Sequence, residues 1–516
     1  MNRREFIQSV EMAAMMAALS PASTLSGKNL DGAPTSGDPE LKDIYKYIDT
    51  HQSDHIKRIQ EFLRQPSISS TGEGMTECAD LVRRYFVDLK FTEVEVVQTP
   101  GHSVIWAHYD AGAKKTLANY GMYDVVPIFT PDKWIAPPFE ARMVDMPPLG
   151  KAIIARGSGN TKVPLKALLN AIEAIISVRG RLPINMMFVV EGEEELSSRN
   201  LGVAIKKHEA QLKTADACLD AKYLQNEKGD VELTLGGKGL VYMELECTNE
   251  ARGIGPIGGS SSRFATVFGN PAWRLVEALN TMVGKDGMEI KIEGFMDMLS
   301  HQPEDLELID KLLERYDPNL LLNDANARSF YPGLSKRDIM IRYLLTPSLN
   351  ISGIYGGYTG PDKSTRLPDK ATVKIDCRLV PNFEADKIVP LVRAHLDKHG
   401  FQDIIVRQLA GFDYFKSPLR DSSVQTLLKT YRDYNHDPLL FPIRPSSGPY
   451  GRYLAKPPLN LPFLYGGLGH AGHYHAPNEY VIIEGSGRIA SLPEVEKFYV
   501  DFIYNFAASP PRANKG

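Results

Sequence analysis

Cysteine, tryptophan, basic excess and long apolar runs are all scarce in this 516-residue chain. The four cysteines, Cys78, Cys218, Cys247 and Cys377, show no C-x-x-C spacing, and three lie in apolar, strand-like runs such as ACLD and KIDC. That pattern argues against a thiolate metal cluster and for buried free thiols. A formal charge of -4 and a sequence pI near 6.3 leave no basic footprint for nucleic acid. Beyond the first 20 or so residues no segment is apolar enough to cross a bilayer, so neither a nucleic-acid nor a membrane partner is expected. Repeats and low-complexity tracts are missing too. What remains is length, too great for one ordinary core, with 43% hydrophobic and 24% charged residues, which suits a globular protein of two or more domains acting on small molecules.

The N-terminus reads MNRREFIQSVEMAAMMAALSPAS. Arg3 and Arg4, followed by Glu5, Phe6 and Ile7 and a short apolar stretch from Met12 to Leu19, resemble a twin-arginine export signal, although Glu11 interrupts the apolar run. Cleavage near Ala22 is expected, with residues 1–22 as signal and the Gly-, Pro- and Ser-rich residues 23–40 as linker. The expectation that follows is a periplasmic or secreted protein.

Strand and helix patterns alternate after residue 41. TEVEVVQ, SVIWAHY, KTLANYG, INMMFVVEG and ACLDAKY read as strands, and TECADLVRRYFVDL and VPLKALLNAIEAIISV as helices. From about 231 the style changes: VELTLGGKGLVYMELECT reads as two strands around a Gly-Gly turn, and the following strands and helices form a set of their own. The earlier style resumes near 421. The expected fold is α/β: a helix-flanked mixed sheet split between residues 41–230 and 421–516, with a smaller α+β lid domain, 231–420, inserted.

Polar groups cluster where apolar strands end, the usual place for a site in an α/β sheet. The segments are YGMYDVVP, ARGSGNTK, VVEGEEELSS, ACLDAK and, far downstream, HAGHYHAPNEY with His470, His473 and His475. Together, and in this order, they resemble the co-catalytic zinc exopeptidases and deacylases that include carnosinase, carboxypeptidase G, aminoacylase and succinyl-diaminopimelate desuccinylase. The resemblance spans nearly all of residues 45–505.

The resemblance implies roles residue by residue. GMYDVVP stands for the family's G-H-x-D-x-x-P, with Asp124 in the orienting-aspartate place but Met122 where a histidine ligand belongs. RGSGNTK stands for R-G-x-x-D-x-K, with Asn160 in place of the aspartate that bridges two metals. EGEEE matches at Glu194, the general base, and Glu195, a ligand; Asp220 and His475 complete the ligand set. Arg378, in IDCRLVPN, falls where family members hold the substrate's carboxylate, and Ser447 and Gly448, with Ser446, fall in a loop against the substrate. A lid histidine that helps stabilise the oxyanion is replaced by Ser260.

A thioether is too soft to replace imidazole on zinc, and an amide in the bridging place removes the negative charge between two dications. One ion rather than two is therefore expected, at the site keeping Glu195 and His475, with Asn160, His470 or His473 as further ligands. The implied activity is hydrolysis of a dipeptide or N-acyl amino acid, with dimerisation through the lid. A non-catalytic binding relative and a metal-independent reaction using Glu194 with Asp124 are the alternatives.

Overall fold

The computed structural model describes residues 39–284 and 287–512; the signal, and the linker except for its last two residues, which open a helix, lie outside them. Two compact units result. Among the described residues one holds 39–233 together with Leu419–Pro438 and 464–512, the other Thr234–Pro418 with Leu439–Phe463.

The first unit opens with helices α1 (Pro39–Arg64) and α2 (Met75–Asp88), followed by strands β1 (Glu93–Val97), β2 (Val104–Tyr109) and β3 (Thr116–Met122). Helix α3 (Val163–Arg179) separates these from β4 (Asn185–Glu191) and β5 (Ala217–Ala221). In the sheet β3 lies between β4 and β5, parallel to both, whereas β1 and β2 run antiparallel. The parallel strands are buried along almost their whole length, which is why they read as continuous apolar runs rather than alternating ones. Register places Met122 opposite Glu191 and Tyr120 opposite Asp220, so three adjacent strands bring their polar ends to one edge of the sheet.

The second unit is built on β6 (Gly236–Thr248), helix α4 (Pro271–Met282), β7 (Ser348–Gly356), β8 (Lys370–Leu379), helix α5 (Ala385–Lys398) and β9 (Ile404–Phe412). Its antiparallel sheet runs β7-β8-β6-β9 and packs one face on α4 and α5, with Val241, Met243, Val373, Ile375, Phe383 and Ile388 among the core residues. The Gly-Gly read as a hairpin turn lies inside β6 instead. A side chain on Gly236 would come within 2.0 Å of the Phe415 carbonyl, and one on Gly239 within 2.6 Å of that of Phe412. These glycines permit close backbone approach, the other reason for glycine in a strand.

Helix α6 (Ser422–Asp433) returns the chain to the first unit, and α7 (Leu492–Ala508) closes it. The expected boundary needs one correction, because residues 439–463 belong to the second unit. Leu439, Phe441 and Ile443 join a cluster with Ile309, Leu312 and Met340, and β10 (Arg444–Ser447) pairs with β6. All four cysteines are buried and unbridged.

A buried polar chain ties α1, α3 and α7 together: His55 Nδ1 lies 2.8 Å from Glu496 Oε2, Asn170 Nδ2 donates to Glu496 Oε1, and Lys166 Nζ donates to Asn170 Oδ1 at 2.7 Å. Burial lowers the Lys166 ammonium from its usual range to about 8. Between pH 8 and 10 the unfolded chain therefore binds more protons at this lysine than the folded one, so stability rises with pH there. Denaturant titrations of native protein and Lys166→Met should show the native protein gaining about 2 kcal/mol on the variant between pH 8 and 10.

Candidate metal centre

Asp124 sits two residues beyond β3, wholly buried, and its two oxygens accept the backbone N–H groups of Glu194 (3.2 Å) and Glu195 (3.1 Å). Burial, and then the charges of Glu194 and Glu195, raise its carboxyl to about 8, while the Glu195 backbone donor and Ser69 work against that shift. The sequence reading gave Asp124 the orienting place and also counted it as a catalytic group beside Glu194. The structure gives it a positioning role, fixing the single 3-10 turn Glu194–Leu196 that carries both acids past the end of β4.

A second clamp holds the RGSGN loop. Buried Glu479 accepts from Arg156 Nη1 (2.7 Å) and from the backbone of Gly157, Gly159 and Asn160 (3.1, 3.0 and 3.0 Å). Gly157 adopts φ 84°, which favours glycine. The sequence reading missed Glu479; its signal was the acid at the end of APNE, four residues after His475.

The two clamps bring Asn160, Glu195 and His475 to a point. Asn160 Nδ2 lies 2.9 Å from Glu195 Oε1 and 3.0 Å from His475 Nε2, and His475 Nε2 lies 2.9 Å from the same Glu195 oxygen. Three such edges cannot all be hydrogen bonds. With a proton on Nε2 the imidazole and the Asn160 amide both donate to Glu195 Oε1, and the third edge is a contact between two donors. With Nε2 bare and the amide oxygen turned inward, all three groups direct lone pairs at one centre, an arrangement that suits a cation. Around tetrahedral zinc such ligand atoms stand about 3.3 Å apart, a few tenths wider than here. The Glu195 contact also raises the His475 imidazole above its ordinary pKa.

The other half of the expected pair does not fit a metal. Met122 is buried and offers only a thioether. Asp220, read as a ligand, has its Oδ2 3.3 Å from the ammonium of Lys222, and that pair is largely buried. An ammonium has no lone pair to give a metal and supplies the positive charge itself. Lys222, two residues along from Asp220, was legible only as part of ACLDAK. His470 is also excluded as a ligand: Nδ1 lies 2.7 Å from the Gln225 carbonyl and Nε2 2.8 Å from the Tyr480 hydroxyl. His473 packs its ring edge-on against Tyr480.

Within the second unit Arg378 Nη1 donates to Ser447 Oγ at 2.7 Å, and Ser447 Oγ donates to the Gly239 carbonyl. Gly448 follows directly, and a side chain there would come within 2.9 Å of Arg444 Nη2. Ser260 pairs with Leu367 in a short two-stranded ladder of this unit.

The chain is a split sheet unit with acids at its parallel strand ends, interrupted by a smaller antiparallel unit. Residues 268–404 match the peptidase dimerisation domain. The chain is 28% identical over 69% of its length to a Cys-Gly metallodipeptidase of Schizosaccharomyces pombe, covering 76% of that protein. With the Beta-Ala-His dipeptidase of Mus musculus it shares 25% identity over 77% of this chain and 83% of the relative. An M20 family metallo-carboxypeptidase from Sulfolobus solfataricus superposes with a TM-score of 0.77 at 29% identity, over 88% of this chain and 99% of that one. The chain is thus similar over most of its length to M20 family metallopeptidases, and it is an enzyme.

Substitution separates the two halves of the centre. Asn160→Asp should tighten zinc at Glu195 and His475 about tenfold, roughly 1.4 kcal/mol, measured by titration against a His475→Ala control. It should add no second equivalent at Asp220. Adding Met122→His and Lys222→Ala to Asn160→Asp should add one.

Proposed function

We propose that the protein hydrolyses an amide or peptide bond in a small substrate bearing a carboxylate, a dipeptide or N-acyl amino acid, at a site holding one divalent ion. The observation that carries this reading is the Asn160–Glu195–His475 triangle, in which three groups able to give a lone pair to a cation stand 2.9, 3.0 and 2.9 Å apart. Glu195 Oε1, His475 Nε2 and the Asn160 amide oxygen would hold the ion, and zinc suits that N/O set. The chemistry such an ion supplies is Lewis acidity, which brings the pKa of a water to about 7.

The remaining work belongs to the chain. Glu194 is the general base, accepting the proton of the attacking water and passing it to the departing amine. Its charge acts on both Asp124 and His475, and its backbone is fixed by Asp124. The Lys222 ammonium takes over the charge balance of Asp220. Arg378 is a planar two-pronged donor, the group suited to a carboxylate, and Ser447 already orients one of its nitrogens. The relatives' names, Cys-Gly and Beta-Ala-His dipeptidase, point to the same substrate class.

A specific observation supports self-association through the second unit. Strand β7 is an edge of its sheet and exposes Ile351 (50%), Ile354 (54%) and Tyr355 (47%), while α4 exposes Trp273 (68%). Such an edge favours pairing with another strand, and a second copy of this chain is the partner we infer.

Two experiments test the reading. Glu194→Gln should lower kcat by about 10²- to 10⁴-fold while leaving the affinity for a product amino acid within a few-fold. A dipeptide and N-acyl amino acid screen should show hydrolysis that chelator abolishes and zinc restores; equal turnover by metal-stripped protein would sink the metal-dependent reading. Ile354→Asp should yield monomer by light scattering if β7 carries the dimer.

A further inference from the structure

A second group of metal-ligating side chains lies in the second unit, apart from the residues used above. His395 and His399 stand one turn apart at the end of α5, with rings 4.3 Å apart, and Glu293, from the connection after α4, reaches both. Its Oε2 contacts His395 Nδ1, and its Oε1 lies 3.0 Å from His399 Nε2 and 2.9 Å from Lys398 Nζ. One ligand atom from each of Glu293, His395 and His399 lies within 4.8 Å of the other two.

The protons at this cluster decide its reading. Thr281 Oγ1 donates its one proton to the Ala278 carbonyl at 2.7 Å, so its contact with His395 Nε2 at 2.9 Å requires the imidazole to donate. The ring proton is thereby placed on Nε2, and the Nδ1 lone pair faces the Glu293 carboxylate. Two lone pairs in contact repel unless positive charge lies between them. A second ring proton paired with Glu293, or a metal ion held by both groups, would supply it. Nε2–H committed to a hydroxyl while Nδ1 points at an acid is also how a metal-binding histidine is oriented from behind.

We propose that Glu293, His395 Nδ1 and His399 Nε2 form a binding site for a divalent transition-metal ion. Two imidazoles and a carboxylate are a borderline donor set suited to zinc or cobalt(II). His399 and Glu293 are partly exposed, at 37% and 42%, so solvent can supply the remaining ligand. The ion would fasten the end of α5 to the connection that follows α4, bracing the core formed by Leu275, Met282, Val392 and Leu396. Its role is structural, and Lys398 would exchange its contact with Glu293 for solvent. This proposal is independent of the hydrolytic reading.

The test uses full-length protein carrying His475→Ala, which removes the other candidate site. Cobalt(II) titration followed by visible absorption should give one equivalent with a tetrahedral spectrum. His399→Ala in the same background should weaken it at least tenfold, as should Glu293→Gln, while circular dichroism stays unchanged. Added zinc should raise the melting temperature of the His475→Ala protein by a few degrees and leave that of the His475→Ala/His399→Ala protein where it was. Equal cobalt binding with and without His399 would overturn the proposal. So would nitrogen-15 spectra showing His395 doubly protonated in the presence of excess zinc, because the proton would then occupy the place assigned to the metal.

Discussion

Both oxygens of one buried carboxylate, Asp124, are spent on the backbone of Glu194 and Glu195, and the site depends on that clamp. It converts the end of β4 from a flexible acidic loop into a fixed turn. An acid buried that deeply is costly unless hydrogen-bonded, so the clamp and its two donors form a unit that resists rearrangement. Glu479 does the same for the RGSGN loop. Two acids that never touch the reacting atoms thus decide where Asn160 and Glu195 meet His475.

Charge explains why the two halves of the centre part company. A pair of dications needs several carboxylates, and the chain has given up one by placing Asn160 in the bridging position. With the neutral amide there, repulsion between two ions would go uncompensated. Lys222 resolves the matter at Asp220 by supplying a single fixed positive charge on the chain itself. At the other half the same amide is tolerable, since Glu195 and His475 are strong ligands and the Asn160 oxygen need only complete the set.

Much of this was legible in the sequence. The continuous apolar runs of β3, β4 and β5 marked buried parallel strands, and the polar residues just past them marked the site edge. Met122 and Asn160 were visible as substitutions because the surrounding motif letters are specific. Less legible was anything that depends on a long-range partner. That Asp124 orients a neighbour was legible, but not that its partners are backbone groups 70 residues away. Lys222 looked like an ordinary strand-end lysine until its partner was placed, and the Gly-Gly of β6 looked like a turn because close backbone approach leaves the same letters as a hairpin. Residues 439–463 crossed to the second unit because β10 pairs with a strand some 200 residues earlier, a contact no local pattern announces.

The central claim is that one ion sits among Asn160, Glu195 and His475 while an ammonium stands at Asp220. Anomalous diffraction at the zinc edge, from crystals grown with zinc, tests it directly. The account predicts a peak bonded to Glu195 and His475 and none within bonding distance of Asp220, whose carboxylate should remain against Lys222. A peak ligated by Asp220, or a Glu195–His475 pair that stays closed on itself in excess zinc, would contradict it.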